Sequence, residues 1–235
     1  MRLHRFIGEF DFSKDTLETS NRALINQIKN VFRLKEGDEL ILCDGKKQEA
    51  LTRIAEISKN ILKLKIERTQ ENENEPENQI FLYCSILRKE NFELAAQKAT
   101  EAGVTEIFPL ITRRTVKTAI NLERLEKIVK EAAEQSGRGI VPKIHTPIAL
   151  NDALKHAEAN STNIFFRPSG APPSKVKIYP PKVGVFIGPE GGWDDAETTA
   201  AEGTKMTMIT LGKLILRAET AAAVGTYLAA QNFLQ

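Results

Sequence analysis

The stretch "VGVFIGPEGGWDDAETTA", Val183–Ala200, holds a buried-type apolar run, a glycine-bearing turn and the start of a helix in immediate succession. That succession is half of a parallel α/β unit, because a parallel strand must be followed by a crossover that packs back onto the sheet. Upstream and downstream the same alternation recurs. "IFLYCSI" (80–86) reads as a strand buried on both faces, followed by a helix from Asn91 that turns Phe92, Ala95, Ala96 and Ala99 inward and stops at Gly103. "VTEIFPL" (104–110) is a second strand, and the helix from Asn121 places Leu122, Leu125, Ile128, Val129 and Ala132 on one face. "TNIFF" (162–166) and "MTMITL" (206–211) complete five strands with the run at Val183, and helices are expected near 149–159, 194–202 and 217–232. The fold class over 80–235 is therefore α/β with a parallel sheet covered on both faces.

The first part of the chain reads differently. "RLHRFIG", "DELILCDG", "EALTRIAEI" and "NILKLKIER" alternate with period two around Asp44-Gly45 and Lys59-Asn60 turns. Between them one helix carries Leu24, Ile28, Val31 and Phe32 inward, with Ser20 or Asn21 as its cap. Residues 1–70 thus form a small, mostly β domain. Charge marks the boundary: residues 1–70 carry 14 Lys+Arg against 11 Asp+Glu and residues 80–235 carry 19 against 16, whereas 71–79 carry four Glu and no base. "QENENEPENQ" (70–79) contains no apolar residue and reads as a solvated acidic linker.

Composition narrows the function. Net charge is +2, hydrophobic residues make up 41% and charged residues 27%, as in ordinary soluble proteins. No apolar run is long enough for a membrane span, and the opening lacks a signal-peptide core, so a cytoplasmic location is expected. Cys43 and Cys84 lack C-x-x-C spacing and the three histidines lack a ligand spacing, so no metal is expected.

In an open parallel sheet, ligands bind beyond the carboxyl ends of the strands. Two loops leave such ends, Gly188–Trp193 and Leu211–Arg217, and the second feeds an alanine-rich helix. Glycines at 188, 191, 192 and 212 allow backbone groups to approach a guest, and Leu214–Leu216 suit a flat ring, so a purine nucleoside fits the pattern. Neither a G-x-G-x-x-G after the first strand nor a G-x-x-x-x-G-K-[ST] is present, which disfavours dinucleotides and triphosphates.

Taken together, Gly188-Pro189-Glu190-Gly191-Gly192, Leu211-Gly212 and Ile215-Leu216-Arg217-Ala218-Glu219-Thr220-Ala221 resemble the cofactor signature of the SPOUT methyltransferases, specifically the RsmE family. "HRFIG" (4–8), "VFRLKEGDEL" (31–40), "KATEAGVTEIFPLITRRT" (98–115) and "EAAEQSGRGIVP" (131–142) extend the resemblance over nearly the whole chain, with Ala102 standing where the family more often has leucine. The resemblance implies an N-terminal PUA-like β-barrel, a C-terminal α/β domain tied in a trefoil knot, and pairing into a homodimer. It implies S-adenosylmethionine as cofactor, held by Gly188, Pro189, Glu190, Gly191, Gly192, Leu211, Gly212, Leu214, Ile215, Leu216 and Arg217. The implied reaction is methylation of N3 of a uridine in 16S ribosomal RNA, on free RNA or the small subunit. Arg217 is the candidate to stabilise the uracil anion, Glu190 to orient the cofactor or take the proton, and Glu219 is the rival base. Arg2, His4, Arg5, Arg22, Arg33, Arg113, Arg114, Lys117 and Arg138 are the basic residues expected to meet RNA. Two other readings stand beside it: a non-catalytic RNA-binding assembly factor, and a related methyltransferase acting on tRNA or a ribose oxygen.

Overall fold

A computed structural model of the chain describes residues 3–88, 90–116, 118–175 and 177–231. The residues divide into two compact units, Met1–Glu75 with Ala133–Val141, and Pro76–Ala132 with Pro142–Gln235.

The first unit is built on β1 (His4–Ile7), β2 (Thr16–Thr19), α1 (Arg22–Asn26), β3 (Glu39–Cys43), β4 (Gln48–Ile57) and β5 (Leu62–Glu71), with sheet order β1-β3-β4-β5-β2. Only β1 and β3 are parallel; the other pairs are antiparallel. Asn21 caps α1, its side-chain oxygen accepting from the backbone N–H groups of Ala23 and Leu24. The helix then loosens into a π turn over Gln27–Val31, marked by the Phe32 N–H donating to Gln27 O. That i→i+5 spacing rotates the following residues off the helical stripe. Val31 consequently lies 63% exposed, and Ile25 joins Ile28 in the core with Phe6, Leu40, Leu42, Ile54, Leu62 and Leu64. The expectation that Val31 packs inward is corrected by this turn.

The stretch read as a solvated linker is also revised. Strand β5 runs on to Glu71, and Asn72 and Asn78 are buried. The Asn72 amide donates to Glu49 and to Gly137 O, and the Glu75 carboxylate is paired with Arg138 and accepts the N–H groups of Gly139 and Ile140. A polar composition conceals these partners because they come from 133–141, some 60 residues later in the chain.

The second unit contains β6 (Gln79–Ser85), α2 (Asn91–Glu101), β7 (Glu106–Ile111), α3 (Leu122–Ser136, whose last turn packs with the first unit), β8 (Lys143–Ile144), β9 (Ile148–Ala149), α4 (Leu150–Ala157), β10 (Thr162–Ala171), β11 (Lys182–Ile187), α5 (Asp195–Glu202), β12 (Met206–Ile209) and α6 (Ala218–Ala230). Its sheet runs β12-β10-β11-β6-β7-β8, with β9 also on β7, and every pairing is parallel. The core is aromatic: Tyr83 stacks at 4.3 Å on Phe186 and at 4.9 Å on Phe108. Among the described residues, no helix is long and apolar enough to cross a membrane, and no group of three or more His, Cys, Asp or Glu side chains is placed to hold a metal.

Candidate active site

Because β6, β7, β11 and β12 point the same way, the segments leaving their carboxyl ends share one edge of the sheet. The loop 188–194 leaves β11 there. Gly188 is tightly packed: a Cβ on it would lie about 3.0 Å from the Trp193 ring, which stacks at 4.3 Å on Phe165 and donates through Nε1 to Phe166 O. Trp193 is thus fixed as a wall of the loop. Gly192 takes φ +71, where a side chain is strained, and closes a turn by donating its N–H to Pro189 O.

Neighbouring edges hold this loop in place. The Arg88 backbone N–H, beyond β6, donates to Glu190 Oε1 at 2.8 Å. Arg114, beyond β7, donates from Nη1 to Gly191 O at 2.7 Å, and Arg113 pairs with Asp194 at 3.0 Å. Asp194 and Glu197 form a capping box at the start of α5, and Glu197 also accepts the Arg113 N–H. The loop is therefore pre-set by backbone and carboxylate contacts with no guest required.

The second loop differs. Gly212 takes φ +116, and Leu214 and Ile215 are 81% and 90% exposed. Such exposure of adjacent large apolar side chains is what a ring-binding surface needs before its ring arrives. Arg217 stands at the start of α6 with its side chain 84% exposed, 3.9 Å from Glu219 Oε1. Glu219 is itself buried, and its Oε2 has no hydrogen-bond partner among the described residues. A buried carboxylate oxygen without a partner is costly, so its presence here calls for a donor supplied from outside the chain. Glu190 and Glu219 both act on the Cys84 thiol at the end of β6: burial is the larger cause of its raised pKa, and the two carboxylates push it further up. The carboxylates of both loops thus lie near the end of β6.

The RNA-contact candidates separate. Arg22 and Arg33 are exposed, His4 lies tilted against Phe32 with ring centroids 4.2 Å apart, and Arg113 and Arg114 brace the 188–194 loop with exposed guanidinium groups. Arg138 is removed from the set, since its guanidinium is buried on Glu75. Arg5 is largely committed to Glu49 and Cys43. Arg2 and Lys117 lie outside the described residues. Sequence reasoning missed the bracing role of Glu197 and the Arg88 N–H; the D-x-x-E capping box in "DDAE" was a readable signal for the first, and nothing local marks the second.

A parallel α/β sheet whose carboxyl edge carries two glycine loops, an exposed apolar turn and an exposed arginine over a buried glutamate defines a nucleoside-cofactor transferase class of site. Comparison with known proteins agrees. Residues 73–230 match the family described as RNA methyltransferase domain, and residues 26–67 match the RNA methyltransferase PUA domain. The ribosomal RNA small subunit methyltransferase E of Mesomycoplasma hyopneumoniae is 36% identical over 203 residues, covering 84% of this chain and 87% of that protein. Its counterpart in Rickettsia conorii is 33% identical, covering 88% and 86%. The crystal structure of the Neisseria gonorrhoeae methyltransferase E bound to S-adenosyl methionine superimposes with a TM-score of 0.87 at 29% identity, covering 96% of this chain and 95% of that one. The chain belongs to the RsmE family of ribosomal RNA methyltransferases, with a PUA-like N-terminal domain and a SPOUT-type α/β domain.

Proposed function

We propose that the protein is an S-adenosylmethionine-dependent methyltransferase that modifies N3 of a uridine in 16S ribosomal RNA, acting in the cytoplasm as a homodimer. The observation that carries the reading is the meeting of Gly188–Gly192, Leu211–Arg217 and the partnerless Glu219 oxygen at one sheet edge. Residues 188–192, 211, 212 and 214–217 would hold the cofactor, the exposed apolar pair beside its adenine. Bound there, S-adenosylmethionine supplies an electrophilic methyl group on a sulfonium.

The chain's own task is the nucleophile. Uracil N3 carries a proton at neutral pH, and removing it spreads negative charge over N3, O2 and O4. Glu219 takes that proton, since its free oxygen is unengaged, whereas Glu190 is occupied by the Arg88 N–H and serves to fix the loop. Arg217 reaches from the same helix start and places its permanent positive charge against the developing oxyanion. Both partners must be held in line and away from water for direct displacement. The exposed Val224 and Tyr227 on α6 and Leu94 on α2, helices that pack together, support the pairing of two copies through this unit, and the trefoil knot implied by family resemblance belongs to the same region. The unit of 1–75 with 133–141 is the RNA-binding part of this scheme and the unit of 76–132 with 142–235 the methyltransferase part.

Calorimetric titration with S-adenosylmethionine tests the cofactor site. Binding of about one equivalent per chain with micromolar-range affinity is expected. Absence of heat both alone and with small-subunit RNA would overturn the reading in favour of a non-catalytic RNA-binding factor.

A further inference from the structure

The first unit carries a groove of about 430 Å³ lined by Lys29, Arg33, Leu34, Lys35, Glu36 and Ile57, none of them a methyl-transfer residue. Its floor is apolar: Leu34 and Ile57 are half-buried and pack on the core cluster of this unit. Its rim is basic. Lys29, Arg33 and Lys35 are exposed, and among the described residues no hydrogen bond or ion pair engages their ammonium and guanidinium groups. The one acid on the groove, Glu36, accepts the Ile57 N–H at 3.4 Å through Oε1.

The backbone fixes this rim in place. The Leu34 N–H donates to Ile28 O at 3.0 Å as the chain leaves the π turn, and Arg33, just before it, takes φ +56. A helix that ends in the left-handed region usually does so on glycine, because a Cβ is strained there. This chain places an arginine at that position, and its guanidinium makes no polar contact with the fold. Such an outlier points to a role outside folding, and π turns recur at functional sites. On the other wall, the Lys35 N–H donates to Asp38 Oδ2 at 2.7 Å, the Asp38 N–H returns to Lys35 O at 3.1 Å, and the Gly37 N–H donates to Ile54 O at 2.8 Å. The turn that carries Lys35 is thus tied to β4 before any guest arrives.

A basic rim over an apolar floor matches the two parts of a nucleotide, whose phosphates are anionic and whose base has apolar faces. We propose that the groove seats one nucleotide of single-stranded RNA, the base lying on Leu34 and Ile57 and the flanking phosphates on Lys29, Arg33 and Lys35. Three long cations without fixed partners read charge rather than base edges, so the contact tolerates any base. A duplex keeps its base faces stacked on one another and leaves the floor unused. The proposal rests on RNA being the substrate, and it adds a single-strand anchor on the first unit to a reaction carried out on the second.

The test uses the full chain and two fluorescein-labelled probes, a short oligouridine and an abasic backbone of the same length, with affinity read by anisotropy over a salt series. Oligouridine should bind several-fold more tightly than the abasic backbone. Arg33→Gly removes the cation and suits the left-handed backbone, so it should melt no lower than the wild type while weakening oligouridine about fivefold and flattening the salt slope by roughly 0.7. Lys14→Ala, which removes an exposed cation from the same unit outside the groove, should leave both readings close to wild type. An abasic backbone bound as tightly as oligouridine, equal losses in Arg33→Gly and Lys14→Ala, or small-subunit RNA binding that Arg33→Gly does not weaken would each overturn the groove as a nucleotide site and leave the RNA substrate standing. Failure of the wild-type chain to bind either oligouridine or small-subunit RNA would overturn both.

Discussion

Glu219 and Arg217 sit two residues apart yet in opposite environments, one buried with an idle oxygen and the other almost fully exposed. Arg217→Ala should therefore lower methyl transfer by roughly 100-fold while melting temperature barely moves, since the exposed side chain contributes to the anion and little to the fold. Glu219→Gln should lower turnover comparably with little loss of stability, because the buried Oε2 it alters makes no hydrogen bond among the described residues and the Arg217 contact at 3.9 Å is long. Thermal melting and single-turnover transfer together read these effects, and unchanged turnover in either variant would remove that residue from its assigned role. The thiols give a second prediction. Burial raises Cys43 to about 11, only partly offset by Arg5, and Cys84 is raised further still. Both therefore stay protonated at pH 8 and should resist iodoacetamide in the folded protein, then react once it is denatured. Rapid alkylation of either in the native state would contradict this. Residue types at the site were legible because glycines, Arg217 and Glu219 fall in a short local pattern. The choice between Glu190 and Glu219 was not, since it turns on a bond from Arg88, about a hundred residues away.

Elements were read from sequence in proportion to how local their causes are. The parallel strands announce themselves as unbroken apolar runs because both faces are covered, and α5 is declared by its own cap. The π turn after α1 was not legible: the stripe Leu24, Ile28, Val31, Phe32 is ordinary α periodicity, and the wider turn that exposes Val31 reflects packing of the whole first unit. Asp194 offers a test at this scale. It caps α5 and pairs with Arg113, so Asp194→Ala should cost about 1 kcal/mol of stability. It should also raise the apparent Kd for S-adenosylmethionine several-fold by loosening the adjoining 188–193 loop, measurable by chemical denaturation and calorimetry. A stability loss with cofactor affinity fully retained would show that the loop is held without the cap.

At the scale of the whole molecule, the N-terminal unit is discontinuous in sequence, which composition and charge counting could not reveal. Its Glu75 is buried against Arg138, and Asn72 and Asn74 both donate to Gly137 O. A fragment of residues 1–75 strips Glu75 of its Arg138, Gly139 and Ile140 partners and removes the Gly137 acceptor from Asn72 and Asn74; it should be poorly folded, with collapsed amide dispersion by NMR, whereas the full chain unfolds cooperatively. A well-dispersed spectrum from the fragment would show that 133–141 is dispensable to it. Acid adds a related effect. Burial alone would raise the Glu49 pKa, but hydrogen bonds from Arg5, Asn72 and Gln70 outweigh it and the net shift is downward. Its stabilising contribution is thus complete above the ordinary carboxylate range and lost as pH falls through the folded value. The central claim joins both units to one reaction on RNA. The most direct measurement is transfer of labelled methyl from S-adenosylmethionine to small-subunit ribosomal RNA, followed by digestion and mass analysis of the labelled nucleoside. Label in 3-methyluridine is the expected result; label on a ribose oxygen or in tRNA, or none in the presence of bound cofactor, would contradict it.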